Sequence, residues 1–238
     1  MSEKIVVNKL TKYYGKFKAL SNVSFNVNQG EVFGLIGPNG AGKSTTMRSM
    51  LNFIFPSNGS ITINGLDSKK DYLKIRSLIG YLPGEFTTYE NMTGQEYLKH
   101  ILHLRKIPKK ENYVKKLAKR FDLDLSKKAK NLSKGNKQKI GIIQAFCHDP
   151  EILILDEPTS ALDVLVQENI IKLLINLQEK FNLSYCFISH DLSLIKKLCH
   201  RVYVMKDSSI VEEGTAKEIF DEPKHLYTQK LLESSFMS

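Results

Sequence analysis

One stretch constrains this chain more than any other: Gly37-Pro38-Asn39-Gly40-Ala41-Gly42-Lys43-Ser44-Thr45. It fits G-x-x-x-x-G-K-[ST], a glycine-rich turn that requires a buried strand before it and a helix after it. Residues 31–36 supply the continuous apolar run of a buried strand, and residues 43–53 read as the helix. In that setting the glycines let backbone N–H groups point inward at phosphate oxygens. The helix N-terminus adds a favourable dipole, and Lys43 reaches the terminal phosphates. The Ser44 hydroxyl is a ligand for Mg²⁺.

A second site follows from residues 152–157, Ile-Leu-Ile-Leu-Asp-Glu, an apolar strand that stops on two acids. Carboxylates at the C-terminal edge of a buried strand can hold a metal and polarise water. Asp156 is placed on Mg²⁺, directly or through water, and Glu157 on the attacking water. A third candidate is Leu132-Ser133-Lys134-Gly135-Asn136, ahead of a helix. Ser133 is a natural N-cap, and Gly135 leaves room for a phosphate at the helix start.

The remaining pattern sets these motifs in a fold. Short strands are predicted over residues 5–10, 23–27, 61–63 and 79–82. Residues 86–148 then read as an all-helical insert. Thr93 and Glu96 form a capping box, Pro108 starts a second helix, and a third begins near Ser133. Strand–helix alternation returns from residue 152, and the tail from Lys217 reads as two short helices separated by Pro223. The expected architecture is therefore one α/β domain over residues 1–238, interrupted by a helical subdomain.

Composition narrows the class. The apolar content suffices for a sizeable core, and no apolar run approaches the ~18–20 residues of a membrane span. Residues 1–10 lack the apolar segment of a signal peptide, so a soluble chain is expected, with any membrane role carried by a partner. Cys147, Cys186 and Cys199 are scattered and odd in number, which fits a reduced compartment and no metal framework. The net charge of +10 is concentrated: residues 105–139 hold fourteen lysines and arginines against three acids, while the rest of the chain sums to −1. Such a block serves nucleic acid, an anionic membrane surface or an acidic partner, or is the solvated face of two helices. No zinc-finger spacing or RNA-binding aromatic signature accompanies it, so nucleic acid is not expected as a partner.

Taken in order, GPNGAGKST at 37–45, LSKGN at 132–136, ILILDEP at 152–158 and ISHD at 188–191 resemble the ATP-binding-cassette (ABC) ATPases over nearly the whole chain. The resemblance implies a P-loop NTPase core with an N-terminal antiparallel β subdomain and the helical insert. It implies ATP and Mg²⁺ as cofactors, with Tyr14 stacking on adenine and residues 37–45 (Gly37, Pro38, Asn39, Gly40, Ala41, Gly42, Lys43, Ser44 and Thr45) holding the phosphates. It further implies Asp156 as the metal-associated aspartate, Glu157 as the catalytic base and His190 as the sensor of the γ-phosphate. The loop of Ser160, Ala161, Leu162 and Asp163 would address a second cassette, bound head to tail. Ser133 and Gly135 would then contact the partner's nucleotide.

Two departures stand out. Lys134 and Asn136 occupy places where the usual signature, LSGGQ, has glycine and glutamine. In Tyr81-Leu82-Pro83-Gly84-Glu85, Gly84 stands where many cassettes carry a metal-binding glutamine, and Glu85 is the substitute ligand. Residues 79–148 resemble export-type cassettes, whereas residues 156–232 are similar to peptide-importer cassettes. The reading expected is an ATPase subunit beneath separate transmembrane permease subunits, peripheral on the cytoplasmic face of the membrane and working in export. The alternatives are a peptide-importer cassette and a soluble, non-transport ABC ATPase.

Overall fold

The computed structural model describes residues 2–159 and 162–236. The chain opens with the hairpin β1 (Glu3–Tyr14) and β2 (Phe17–Asn28), then β3 (Val32–Ile36) and α1 (Lys43–Met50). Next come β4 (Asn58–Ile63), β5 (Leu66–Asp67), α2 (Tyr72–Leu78) and β6 (Ile79–Leu82). Three helices follow: α3 (Gly94–Leu104), α4 (Glu111–Arg120) and α5 (Lys134–Phe146). The second half runs β7 (Ile152–Asp156), α6 (Val164–Phe181), β8 (Ser184–Ile188), α7 (Leu192–Leu198), β9 (Arg201–Lys206) and β10 (Ser209–Thr215). It ends in α8 (Ala216–Asp221) and α9 (Leu226–Phe236).

Among the described residues the strands form two sheets. The first, ordered β2-β1-β4-β5, is antiparallel. The second is ordered β10-β9-β3-β8-β7-β6, parallel except for the edge strand β10. Its central strands are buried along their length, as both-face coverage demands: every residue of β3 and β8 is buried, and β7 is open only at Asp156. On one face, Ile154, Cys186 and Met205 pack with β1, β4 and α1 of the antiparallel layer. Phe25 stacks on Phe33 there, with ring centroids 4.9 Å apart. On the other face, Leu153, Leu155, Tyr185 and Phe187 pack with α3–α7.

The insert is held by caps and close packing. Thr93 accepts from the Glu96 N–H while the Glu96 carboxylate accepts from Thr93, which is the expected capping box. Helix α5 lies directly on β6 because Gly80 and Gly141 bring no side chains to the contact. A Cβ on Gly141 would fall 2.6 Å from Leu82 Cδ1.

Besides the longer β1 and β2, which run up to the Gly15 turn where the sequence predicts strands over 5–10 and 23–27, the elements differ from expectation in three places. Helix α1 ends at Met50, three residues early. Pro108 opens a 3₁₀ turn, Pro108–Lys110, with α4 starting at Glu111. Helix α2 carries no amphipathic pattern to read, since only Ile75 is buried. No helix among the described residues is long and apolar enough to cross a membrane.

Candidate active site

Strand register assembles the site. Leu35 pairs with Ile188 across β3 and β8, and Ile188 pairs with Asp156 across β8 and β7. The residues that follow each strand therefore emerge side by side at one C-terminal edge: the Gly37 turn, Glu157, and Ser189-His190. Parallel α/β sheets bind ligands at this edge.

The Gly37–Thr45 turn is shaped by backbone that only glycine adopts without strain. Gly42 is the N-cap of α1 at φ 105°, and a Cβ there would lie 2.6 Å from Leu20 Cδ2 and 2.8 Å from the Ala19 carbonyl oxygen. No side chain caps this helix, so its first N–H groups are left for another acceptor. The Lys43 ammonium donates to the carbonyls of Gly37 (2.6 Å) and Pro38 (2.9 Å). Lys43 is buried, which pulls its pKa below the usual lysine value; Glu157 and Asp156 pull the other way. A buried ammonium facing two carboxylates and a row of amides is a charge arranged for a polyanion.

Asp156 is raised above the ordinary carboxylate range, first by burial and then by the neighbouring Glu157, with Lys43 and Arg48 opposing. Glu157 takes a left-handed backbone, φ 48°, fixed by its N–H donating to Ile188 O at 2.9 Å. Its Oε2 lies 2.9 Å from His190 Nδ1 and accepts from the His190 N–H at 3.4 Å. His190 is itself largely exposed, while Asp191 caps α7 through Ser193 and Leu194. The motifs at 37–45, 156–157 and 188–191 thus meet in space.

They share a cavity of about 310 Å³ lined by Tyr14, Phe17, Ala19, the turn residues Asn39, Gly40 and Gly42 to Thr45, Asp156, Glu157 and Ile188. Tyr14 is 48% exposed, and Lys12 Nζ sits 5.0 Å from its ring centroid. Phe17, 64% exposed, pairs with Tyr14 across the two-residue turn Gly15-Lys16. The sequence reading missed Phe17, although two aromatics flanking a glycine turn were the available signal. It also missed Arg48, whose place beside Asp156 follows from α1 and carries no sequence signature.

Glu85 is exposed and lines an adjoining cleft with Ser44, Arg48, Tyr81, Asp156 and Glu157. Gly84 faces the same residues: a Cβ there would make ordinary contacts with Asp156 and Glu157. The donors gathered here, the Ser44 hydroxyl and the Asp156 and Glu85 carboxylates, are hard oxygens suited to Mg²⁺. No group of three or more His, Cys, Asp or Glu able to hold a metal occurs among the described residues.

Ser133 and Gly135 do not line this cavity. Ser133 caps α5 by accepting from the Asn136 N–H, and Gly135 is buried against Val166. Lys134 lines a separate groove with Gly84, Glu85 and Gln138. Gln138 donates to the Pro158 carbonyl at 2.8 Å, which ties α5 to the segment after Glu157. Asp163 caps α6; Ser160 and Ala161 lie outside the described residues.

A mixed α/β core carrying a phosphate-loop turn, an acidic strand end and a capped helix on an inserted arm defines an ATP-binding cassette. Residues 20–160 match the family model described as ABC transporter, and the chain belongs to that family. It is 38% identical over 230 residues to a methionine import ATP-binding protein of Bacillus cereus, covering 93% of this chain and 66% of the relative. It is 36% identical to an oligopeptide transport ATP-binding protein of Mycobacterium tuberculosis, covering 94% of this chain and 38% of the relative. The chain thus spans just under two thirds, or less, of these relatives. Among solved structures it resembles cbiO1 of Clostridium perfringens, part of the ABC transporter complex cbiONQ (TM-score 0.82, 27% identity, 93% and 92% coverage). It also resembles the dimeric cassette MJ0796 in a post-hydrolysis state bound to ADP and Pi (TM-score 0.79, 25% identity, 89% and 98% coverage). These relatives do not support the export direction expected from residues 79–148: the methionine relatives are import proteins.

Proposed function

We propose that this chain is the ATP-hydrolysing subunit of an ABC importer, driving uptake of a small solute through separate transmembrane subunits. The observation that carries the reading is the convergence of Lys43, Asp156 and Glu157 on one cavity lined by the glycine turn, with His190 held against Glu157. Importer rather than exporter rests on the methionine-import relatives. The chain would sit against the cytoplasmic face of the membrane, held by its permease, and pair with a second cassette that is identical or closely similar.

In this reading Tyr14 and Phe17 hold the adenine, and the N–H groups of residues 39–45 hold the phosphates. Lys43 exchanges its bonds to Gly37 and Pro38 for bonds to phosphate oxygens, because an anion offers a stronger charge-assisted contact than two carbonyls. Ser44, Asp156 and Glu85 would hold Mg²⁺, which supplies charge neutralisation at the phosphates when bound. Glu157 accepts the proton of the attacking water, and His190 fixes the Glu157 carboxylate through the 2.9 Å contact. Ser133 and Gly135, set apart from their own chain's cavity, close the site of the partner cassette.

Glu157→Gln tests the reading. An amide cannot take the proton, so the variant should bind ATP as wild type does, lose turnover by about 10²-fold or more, and form a dimer that requires ATP. Undiminished hydrolysis would remove Glu157 from the proposed role.

A further inference from the structure

The nucleotide site leaves the strongest charge feature of the molecule unused. Of the net +10, residues 105–139 carry +11. Helix α4 buries Val114, Leu117 and Ala118 and exposes Lys115, Lys116, Lys119 and Arg120 on the opposite side. Arg105, Lys106 and Lys109 are exposed before it, and Lys127, Lys128 and Lys130 after it. The few acids of the block are consumed locally: Glu111 pairs with Lys115 at 3.2 Å and Asp124 with Lys127 at 4.0 Å. Lys109, Lys116, Lys119 and Arg120 form no ion pair with an acid among the described residues. At the end of α4 the charge continues into a cleft of about 380 Å³ shared by Arg120, Lys139, Lys172, Asn169 and Asn176, with Asp122 as its one acid. At the other end, Leu104 closes α3 at 66% exposure, beside Arg105 and Lys106.

We propose that this face of the helical insert docks on an anionic phospholipid leaflet, with the lysines and arginines over the headgroups and Leu104 at their level. Self-repulsion among this many uncompensated cations on a short arm costs stability unless a dense negative surface faces them. A bilayer is such a surface, and an exposed leucine flanked by cations suits the boundary between headgroup and acyl chain. A duplex would offer the charge but give Leu104 nothing to enter. The proposal takes from the transporter reading only the nearness of a membrane.

The test is co-sedimentation of the whole chain with phosphatidylcholine vesicles, with and without phosphatidylglycerol. Wild type should bind the anionic vesicles at low salt at least about tenfold better than the neutral ones, and lose that preference as salt is raised. A variant with Lys109→Gln, Lys116→Gln, Lys119→Gln and Arg120→Gln should lose about tenfold or more of this binding. A variant with the same charge loss elsewhere, Lys69→Gln, Lys70→Gln, Lys217→Gln and Lys230→Gln, should keep it. ATP turnover in solution, measured on all three, reports folding separately. If turnover is absent from wild type while vesicle binding follows this pattern, the ATPase reading fails and the docking surface stands. The docking proposal is overturned by equal binding to both vesicle types or by equal loss in both variants.

Discussion

Gly42→Ala puts a number on how tightly the phosphate turn is built. At φ 105° an alanine is outside every comfortable region, a strain of about 1–3 kcal/mol. Its Cβ would sit 2.6 Å from Leu20 Cδ2 and 2.8 Å from the Ala19 carbonyl oxygen. Leu20 can rotate, but Ala19 is strand backbone, so the clash adds about 1–3 kcal/mol of overpacking. The smaller entropy of an unfolded alanine chain returns about 0.4–1 kcal/mol. The net loss is about 1–5.6 kcal/mol, or roughly 2–22 °C in Tm for a chain of this size. Gly40→Ala is the control: it also has positive φ, 83°, but nothing lies within 4 Å of its Cβ. Without the clash its loss should be smaller than that of Gly42→Ala by about 1–3 kcal/mol, or roughly 2–12 °C. Thermal unfolding by circular dichroism, without nucleotide, compares the two. Equal shifts would show that the packing of the turn against β2 is not what makes Gly42 necessary.

Two further outcomes follow. Mixing Lys43→Ala chains with Gly135→Asp chains should restore part of the ATPase activity that each lacks alone, since a mixed dimer has one site free of both defects; no recovery in verified mixed dimers would refute action in trans. His148 is the pH-sensitive element: burial holds its pKa down at about 4, its Nε2 lies 3.0 Å from the Ile79 carbonyl and its Nδ1 is buried without a partner. An unfolded histidine titrates near 6.5, so the unfolded chain binds the extra proton between these values. Stability from this group is full above about pH 6.5 and is lost as pH falls toward 4, by about 2 kcal/mol between pH 7 and 5. His148→Leu should flatten that part of the pH–stability curve, and an unchanged slope would assign the loss elsewhere.

The site was legible in the sequence where local chemistry dictates residue type. Gly42 and Lys43, the Asp156-Glu157 strand end and the Thr93–Glu96 box each announce their structure within a few residues. What brings them together was not. The order β3-β8-β7, which sets Ile188 between Leu35 and Asp156, is a long-range pairing that no local window contains. Helix α2 escaped notice because it buries one side chain. Arg48 belongs to the site through packing across elements, and Gln138 through a bond to a carbonyl twenty residues away. The export direction drawn from residues 79–148 failed for a related reason. Short stretches such as Lys134-Gly135 record how a helix starts, and they hold little information about the cargo's direction.

The most direct measurement of the central claim is equilibrium ATP binding and steady-state hydrolysis by wild type and Lys43→Ala side by side. Lys43 is the buried cation that faces Asp156 and Glu157 over the glycine turn. Without it the cavity loses the one cationic side chain among the described residues that line it. The expected result is wild-type binding and turnover with Mg²⁺, and a folded Lys43→Ala variant that has lost both. A Lys43→Ala chain that binds and hydrolyses ATP like wild type would contradict the account.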